Sequence, residues 1–213
     1  MRTRYTMINM LVNIGGQFFA MLLSFINRMV FIRCLSAAYL GVNGLFTDVL
    51  SILNFAELGI GTAMVFSMYE PAARDDERKL AQLMNLYKWM YRAVAASVLL
   101  FGIILLPFLP HFIKGGEGIE HITLIYMMYV LASASSYLMS YKSSIYQAYQ
   151  KGYIRAGWNV VCECIKTALQ ITVLLSTGNF ILYLVVQQAL PFLPNIMVSR
   201  MVDKEFPYLK ECH

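Results

Sequence analysis

The sequence predicts an all-α integral membrane protein, a bundle of six transmembrane helices with both termini in the cytoplasm. Two observations carry this prediction: 59% of the 213 residues are hydrophobic, and only 14% are charged. Soluble domains carry about 25% charged residues, so this chain has too little charge to cover a water-exposed surface. The same composition excludes a disordered chain, a coiled coil and a nucleic-acid-binding domain, in spite of the net charge of +5.

Apolar runs long enough to span a bilayer, which takes about 20 residues, occur six times along the chain. The first run begins after Arg2 and Arg4 and continues for about 25 residues, longer than the hydrophobic region of a signal peptide. We therefore interpret it as a retained span. The six predicted spans are residues 7–32, 45–68, 86–109, 122–141, 156–176 and 180–199, and together they form one membrane domain of residues 1–200.

Helix-breaking residues occur within two of these spans. Gly59 and Gly61 loosen the second span, and Pro191 and Pro194 interrupt the sixth. Interrupted helices are found near the binding sites of transporters. A packing kink, satisfied by neighbouring helices, would produce the same pattern.

The basic residues are distributed unevenly between the connecting segments, and this predicts the orientation. Thirteen of the 17 Lys and Arg residues lie at the N-terminus, around the loop after span two, in the loop after span four, or at the C-terminal end. An excess of this kind is typical of short cytoplasmic loops, so both termini and the tail of residues 201–213 are predicted in the cytoplasm. The thirteen are Arg2, Arg4, Arg74, Arg78, Lys79, Lys88, Arg92, Lys142, Lys151, Arg155, Arg200, Lys204 and Lys210.

Polar side chains inside the spans share helix faces. In span five four of them fall within about 60° of arc, and span one repeats this pattern. The stripes are Asn159, Glu163, Lys166 and Gln170 in span five; Asn13, Gln17, Ser24 and Arg28 in span one; and Asn54 and Glu57 in span two, with Asp48 further round. Charged and amide groups in a membrane usually face a wet cavity, so the stripes predict a polar cavity lined by spans one, two and five. The alternative is interhelical packing, because Glu163 and Lys166 at i, i+3 can pair with each other.

Motifs that would indicate an enzyme do not occur in the sequence. There is no nucleophile elbow, Walker loop, zinc motif or glycine-rich dinucleotide turn. The acidic run Asp75-Asp76-Glu77 lies among basic residues without a second acidic motif, so it is interpreted as a solvated loop that starts a helix. The four cysteines lack the spacing of a disulfide framework and are interpreted as packing residues or free thiols. We therefore expect neither enzymatic activity nor a metal or other cofactor.

Several short strings occur in order from span one to just beyond span six. They are Arg28…Phe31-Ile32-Arg33-x-Leu35 with Tyr39–Phe46, Leu53–Gly61 with Tyr69-x-Pro71, Lys142…Gln150-Lys151-x-Tyr153, and Phe206-Pro207-Tyr208-Leu209. In order and spacing they resemble the bacterial polysaccharide or O-antigen repeat-unit flippases, which belong to the multidrug/oligosaccharidyl-lipid/polysaccharide (MOP) exporter superfamily.

The resemblance implies a transporter that moves undecaprenyl-diphosphate-linked oligosaccharides across the bacterial cytoplasmic membrane for lipopolysaccharide or similar surface glycans. Such transporters have two six-helix lobes around a central cavity, so this chain would be the N-terminal lobe and would need a second lobe or a homodimer partner. By resemblance, Arg28 and Lys166 attract the diphosphate or acidic sugars. The residues that would bond sugar hydroxyls are Asn13, Gln17, Asn54, Asn159 and Gln170. Those that would serve ion coupling or structural pairing are Asp48, Glu57 and Glu163.

Two other functions fit the same residues. One is an ion-coupled exporter of small molecules or drugs from the same superfamily, and the other is a non-transporting scaffold in a glycan assembly complex. The stripes contain two basic against three acidic residues, and this count does not support a cationic cavity. The strings favour the flippase.

Overall fold

The computed structural model describes residues 2–35, 37–54, 59–109 and 121–210, with side chains for 10–35, 38–52, 59–109 and 121–209. All regular structure in these ranges is helical, which confirms the predicted all-α membrane bundle. The α-helices are α1 (Arg2–Cys34), α2 (Ala37–Asn54), α3 (Ile60–Ala73), α4 (Glu77–Leu105), α5 (Ile122–Ser140), α6 (Ser144–Ala148), α7 (Tyr153–Thr177), α8 (Phe180–Ala189) and α9 (Phe192–Glu205). Short 3-10 turns cover Leu106–Phe108, Tyr141–Ser143 and Pro207–Lys210.

Five helical segments of the described chain are long and apolar enough to cross a membrane. They are Met10–Cys34, Glu77–Phe108, Ile122–Ala148, Tyr153–Thr177 and Phe180–Glu205, and they coincide with predicted spans one, three, four, five and six. The second predicted span falls on α2 and α3, and residues 55–58 between these helices lie outside the described ranges. The count of six spans and the orientation therefore stay predictions.

The charged segment before the third span starts a helix, as the sequence analysis proposed. A carboxylate oxygen of Asp76 accepts a hydrogen bond of 3.0 Å from the Lys79 backbone N–H, and this caps the first turn of α4. Because the cap precedes Glu77, α4 begins upstream of the predicted span and extends beyond its apolar part.

The last predicted span is divided into α8 and α9. Asn179 caps the start of α8 by accepting hydrogen bonds from the next turn. The division falls at Pro191, which has no N–H to continue the helix. Pro194 lies in the first turn of α9, where a missing N–H costs little. The predicted interruption is thus confirmed, and Pro191 causes it.

Two apolar clusters form the core at opposite ends of the bundle. In one, deeply buried side chains come from α3, α4, α6 and α9, among them Met68, Leu80, Ile145, Tyr146 and Val202. In the other, they come from α1, α2, α5 and α8: Phe31, Phe46, Tyr126 and Leu184. By contrast, α1 exposes a row of large apolar side chains, among them Leu11, Phe18 and Phe25. Such a surface is suited to lipid or to another membrane helix.

Ion pairs tie the segment between α5 and α7 to the end of α9. Lys142 Nζ lies 2.6 Å from Asp203 Oδ1, and Lys151 Nζ lies 2.6 Å from Glu205 Oε1. The Tyr146 hydroxyl donates a further bond of 2.8 Å to Glu205 Oε2. These contacts hold residues 142–151 against the end of the bundle that is predicted to be cytoplasmic.

Candidate functional site

The helices α1 and α7, which carry two of the predicted polar stripes, pack side by side. A Cβ atom on Gly16 would lie 2.9 Å from Cγ2 of Val160, so the glycine permits a close approach of the two helices. Further along both helices, Asn27 Nδ2 donates a hydrogen bond of 2.9 Å to Gln170 Oε1. Because the residue numbers rise together from one contact to the next, the helices run in the same direction, and their polar stripes meet.

This parallel packing bears on the number of spans. Two parallel membrane helices require an odd number of crossings between them. The helices α4 and α5 supply two crossings, so the segment that contains α2 and α3 is needed for a third. The geometry of α1 and α7 therefore supports the predicted second span.

The meeting stripes border a cavity of about 250 Å³, which we call the Arg28 cavity. Four of the predicted site residues line it together: Arg28 from α1, and Glu163, Lys166 and Gln170 from α7. The remaining lining residues come from α1, α2 and α8: Ser24, Asn27, Phe31, Leu40, Asn43, Gly44, Tyr183 and Gln187. The cavity lies between α1 and α7, which correspond to predicted spans one and five. Its residues from α2, which are Leu40, Asn43 and Gly44, precede predicted span two, and α8 forms an additional wall.

The described lining of the Arg28 cavity is cationic. Lys166 Nζ lies 2.5 Å from Glu163 Oε2, which is the pair expected from their spacing. Within the described residues, Arg28 has no ion pair. Two basic side chains against one acidic side chain give a net charge of +1. Asp48 is exposed on α2 and does not belong to the lining, and Glu57 lies outside the described residues. The stripes contain two basic and three acidic residues, but the described lining of the cavity contains only one of those acidic residues, so its net charge is positive.

One amide connects three helices at this site. Asn27 Nδ2 donates to Gln170 Oε1 on α7 and, at 3.0 Å, to the hydroxyl of Tyr183 on α8. The other side of the amide, Oδ1 of Asn27, is buried without a hydrogen-bond partner among the described residues, and so is Oε1 of Gln187. Buried polar atoms normally have partners. Two acceptor oxygens of residues that line the cavity therefore have no hydrogen-bond partner among the described residues.

Asn27, Asn43, Tyr183 and Gln187 were not assigned to the site from the sequence. Asn27 is next to Arg28 in the chain but lies about 100° away from it round the helix, off the stripe. Asn43, whose Oδ1 accepts a hydrogen bond from the Tyr129 hydroxyl, precedes the predicted start of span two. The polar residues of span six formed no single stripe. Only the packing of α8 against α1 identifies Tyr183 and Gln187 as lining residues.

Asn13 and Asn159 line a different cavity, of about 570 Å³, which we call the Arg155 groove. It lies between the first turns of α7, the end of α3 and residues 147–152. Its other lining residues are Tyr69, Gln147, Gln150, Gly152, Arg155 and Ala156. An adjoining cavity of about 500 Å³ shares Tyr69, Gln147 and Arg155 with it. Asn13 and Asn159, which are the first residues of the stripes on α1 and α7, thus belong to a separate site.

The two sites lie at different depths of the bundle. Asn13 in the Arg155 groove and Ser24 in the Arg28 cavity are separated by about 16 Å along α1, at 1.5 Å per residue. This separation is about half the thickness of the hydrocarbon core of a bilayer, which is about 30 Å. The Arg155 groove is on the side that is predicted to be cytoplasmic.

The remaining predicted residues do not join either site. Gln17 is exposed on α1 between the two cavities, and the side chain of Asn54 lies outside the described residues. Among the described residues, no group of three or more His, Cys, Asp or Glu could hold a metal ion. The described cysteines, Cys34, Cys162 and Cys164, are free thiols.

Fold and site together define a helical, multi-spanning membrane protein with polar cavities between its helices. The comparison with protein families gives the more particular assignment. The profile described as "Polysaccharide biosynthesis protein" matches residues 7–209, so the chain belongs to this family and has a role in polysaccharide biosynthesis or export. The match confirms the resemblance found in the sequence. No curated protein matches, and neither does any solved structure.

Proposed function

We propose that the chain is one lobe of a flippase that carries undecaprenyl-diphosphate-linked oligosaccharides across the cytoplasmic membrane of a bacterium. The observation that carries the proposal is the Arg28 cavity, which combines a net positive charge with amide and hydroxyl groups inside the membrane. The diphosphate requires cationic groups, and the sugars require donors and acceptors of hydrogen bonds. The family match supports the glycan part of the proposal.

The roles follow from the chemistry of the lining. Arg28 and Lys166 attract the diphosphate or acidic sugars, since guanidinium and ammonium groups bind the oxygens of phosphates and carboxylates. The amide and hydroxyl groups of the lining that reach the cavity bond sugar hydroxyls, whereas Gln170, which is 1% exposed, and Asn27 join the helices through their hydrogen bond of 2.9 Å. Glu163 pairs with Lys166 at 2.5 Å and offsets part of the positive charge of the cavity. The substrate is moved without a chemical change, so no catalytic residue or cofactor takes part.

A second lobe covers the face that α1 presents. Asn13, Gln17 and Asn159 are exposed at positions within predicted spans, where contact of an amide with lipid is unfavourable. A partner lobe that encloses these side chains in a common aqueous cavity removes that cost. The partner is either a different six-helix lobe or a second copy of this chain.

The positive charge of the cavity argues against the alternative of a drug-cation exporter, which needs a net acidic site. A scaffold without transport activity predicts that Arg28 and Lys166 are dispensable. These two alternatives can be separated from the flippase by one set of variants.

The test measures binding of an undecaprenyl-diphosphate-linked disaccharide to the full chain in phosphatidylcholine nanodiscs. We expect Arg28→Ala and Lys166→Ala each to weaken binding about tenfold, the effect of losing one charged hydrogen bond. Arg33→Ala is the matched control, because Arg33 lies exposed at the end of the same helix and outside the cavity. Equal affinity of all variants would contradict the proposal, as would tighter binding of a hydrophobic cation than of the glycolipid.

A further inference from the structure

The Arg155 groove has the size and composition of a binding site in its own right. Its volume of about 570 Å³ lies within the range of about 300–1,000 Å³ that is usual for ligand pockets. With the adjoining cavity of about 500 Å³ it forms a continuous polar depression, because Tyr69, Gln147 and Arg155 line both. It does not share a lining residue with the Arg28 cavity.

Arg155 supplies this groove with a positive charge that no described lining residue neutralises. The side chain is half-buried in the first turn of α7 and donates a hydrogen bond of 2.7 Å from Nη1 to Ser143 Oγ. The described lining of both cavities contains neither Asp nor Glu. The bond to the Ser143 hydroxyl orients the guanidinium but does not neutralise its charge. The planar arrangement of its other N–H groups matches the oxygens of a phosphate.

The rest of the groove is suited to a sugar. The side chains of Gln147 and Asn159 are exposed and carry both donors and acceptors, which is what the hydroxyl groups of a carbohydrate require. Tyr69 is 43% exposed, and its ring offers an apolar face with a hydroxyl at its edge. A phosphate beside a sugar can therefore pair with the arginine, form hydrogen bonds with the amides and pack against the tyrosine ring.

We infer that the Arg155 groove is a loading site, which binds the phosphorylated sugar of a lipid-linked oligosaccharide on the cytoplasmic side before it reaches the Arg28 cavity. The inference rests on the proposed function. The separation of about 16 Å along α1 makes the two sites successive positions in the path of one headgroup. Contacts at the Arg155 groove act at the first position, and those at the Arg28 cavity act at the second.

The experiment must report occupancy of the groove itself. A photoreactive amino acid is incorporated at position 147, which lines the groove, and the full chain is placed in phosphatidylcholine nanodiscs. The probe is an undecaprenyl-diphosphate-linked disaccharide at a concentration below saturation. The same photoreactive group at position 86, an exposed position on α4, measures background cross-linking to lipid.

Three variants test the residues involved. We expect Arg155→Gln to lower the cross-linking yield about tenfold, in line with the loss of a charged hydrogen bond. The matched control is Arg74→Gln, because Arg74 is exposed near the same predicted side and pairs with Glu70 outside the groove. Arg28→Ala should leave the yield at position 147 unchanged while it weakens total binding.

A substitution at Tyr69 tests the groove independently of whether the Arg155→Gln variant folds. Tyr69→Leu keeps an apolar side chain at an exposed position, and we expect it to weaken cross-linking of the disaccharide probe severalfold. It should not affect undecaprenyl diphosphate without a sugar, since the ring faces the carbohydrate. A variant that loses the sugar preference but still binds the bare diphosphate is folded.

The outcomes separate the inference from the proposed function. If the probe binds in a manner that depends on Arg28, but position 147 gives only background yield, the loading site is wrong and the flippase proposal stands. If the wild-type chain does not bind the probe at all, both fail. Equal competition by phosphatidylglycerol also overturns the inference, because the groove would then recognise an ordinary lipid phosphate and not a phosphorylated sugar.

Discussion

Substitution of Gly102 by alanine should destabilise the bundle, because α4 and α5 leave no room for a side chain at this residue. A Cβ atom on Gly102 would lie 2.5 Å and 3.0 Å from the two methyl carbons of Val130 and 3.3 Å from its Cβ. Carbon atoms in favourable contact are about 3.5–4.0 Å apart. Val130 is completely buried, and rotation about its branched Cβ would only replace one methyl group with the other.

The magnitude follows from two contributions. Overpacking of this kind costs about 1–3 kcal/mol. Separation of the helices would also strain the hydrogen bond of 3.0 Å from the Tyr126 hydroxyl to the Gly102 carbonyl; interhelical bonds in membrane proteins contribute about 0.6 kcal/mol on average. We therefore expect Gly102→Ala to lower the free energy of unfolding by about 2–3 kcal/mol.

The assay is equilibrium unfolding of the full chain in bicelles, with a double-mutant cycle. In a Val130→Ala background only the contact of 3.3 Å with the Cβ atom remains, so Gly102→Ala should cost less than about 1 kcal/mol. Gly41→Ala is the matched control, because a Cβ on this helical glycine would meet no atom within 4 Å and alanine favours a helix. Additive effects of the two substitutions, or equal effects at Gly102 and Gly41, would refute the close contact between α4 and α5.

Two further predictions concern the Arg28 cavity. Glu163→Gln removes the acidic partner of Lys166 and raises the charge of the described lining from +1 to +2. The nanodisc assay should therefore show about three- to tenfold tighter binding of the glycolipid. Weaker binding would contradict this prediction and would mean that Glu163 positions Lys166 for the ligand. Asn27→Leu removes two hydrogen bonds between helices and should cost about 1–2 kcal/mol in unfolding, whereas Tyr183→Phe removes one and should cost about half. Equal losses would contradict the role of Asn27 in joining three helices.

The sequence predicts the faces of the helices well, because those faces depend on residues close together in the chain. A spacing of three or four residues places Glu163, Lys166 and Gln170 on one side of α7 whatever surrounds it, and all three line the Arg28 cavity. The Glu163–Lys166 pair follows from the same spacing. Likewise, Asp76 caps α4 through an interaction that spans only three residues.

The segment between spans four and five shows where local patterns are insufficient. Its charged residues predict only a cytoplasmic connecting segment, yet Ile145 and Tyr146 are completely buried. Their partners include Val202 and Phe206 at the end of α9, far away in the chain. Only the folded arrangement brings these groups together, and it also positions Arg155 and Gln147 in one groove.

What the sequence determined by itself is the membrane character of the chain, the helical faces and the family. Composition settles the first, because a chain with 14% charged residues cannot cover a surface in water. The tertiary structure decided which stripes meet, and which of their residues line the Arg28 cavity and which line the Arg155 groove. Asn13 and Arg28 share one face of α1 but belong to separate sites, because a helix rises 1.5 Å per residue and different neighbours complete the wall at each depth. Those neighbours are set by contacts such as Gly16 with Val160, which no local pattern encodes.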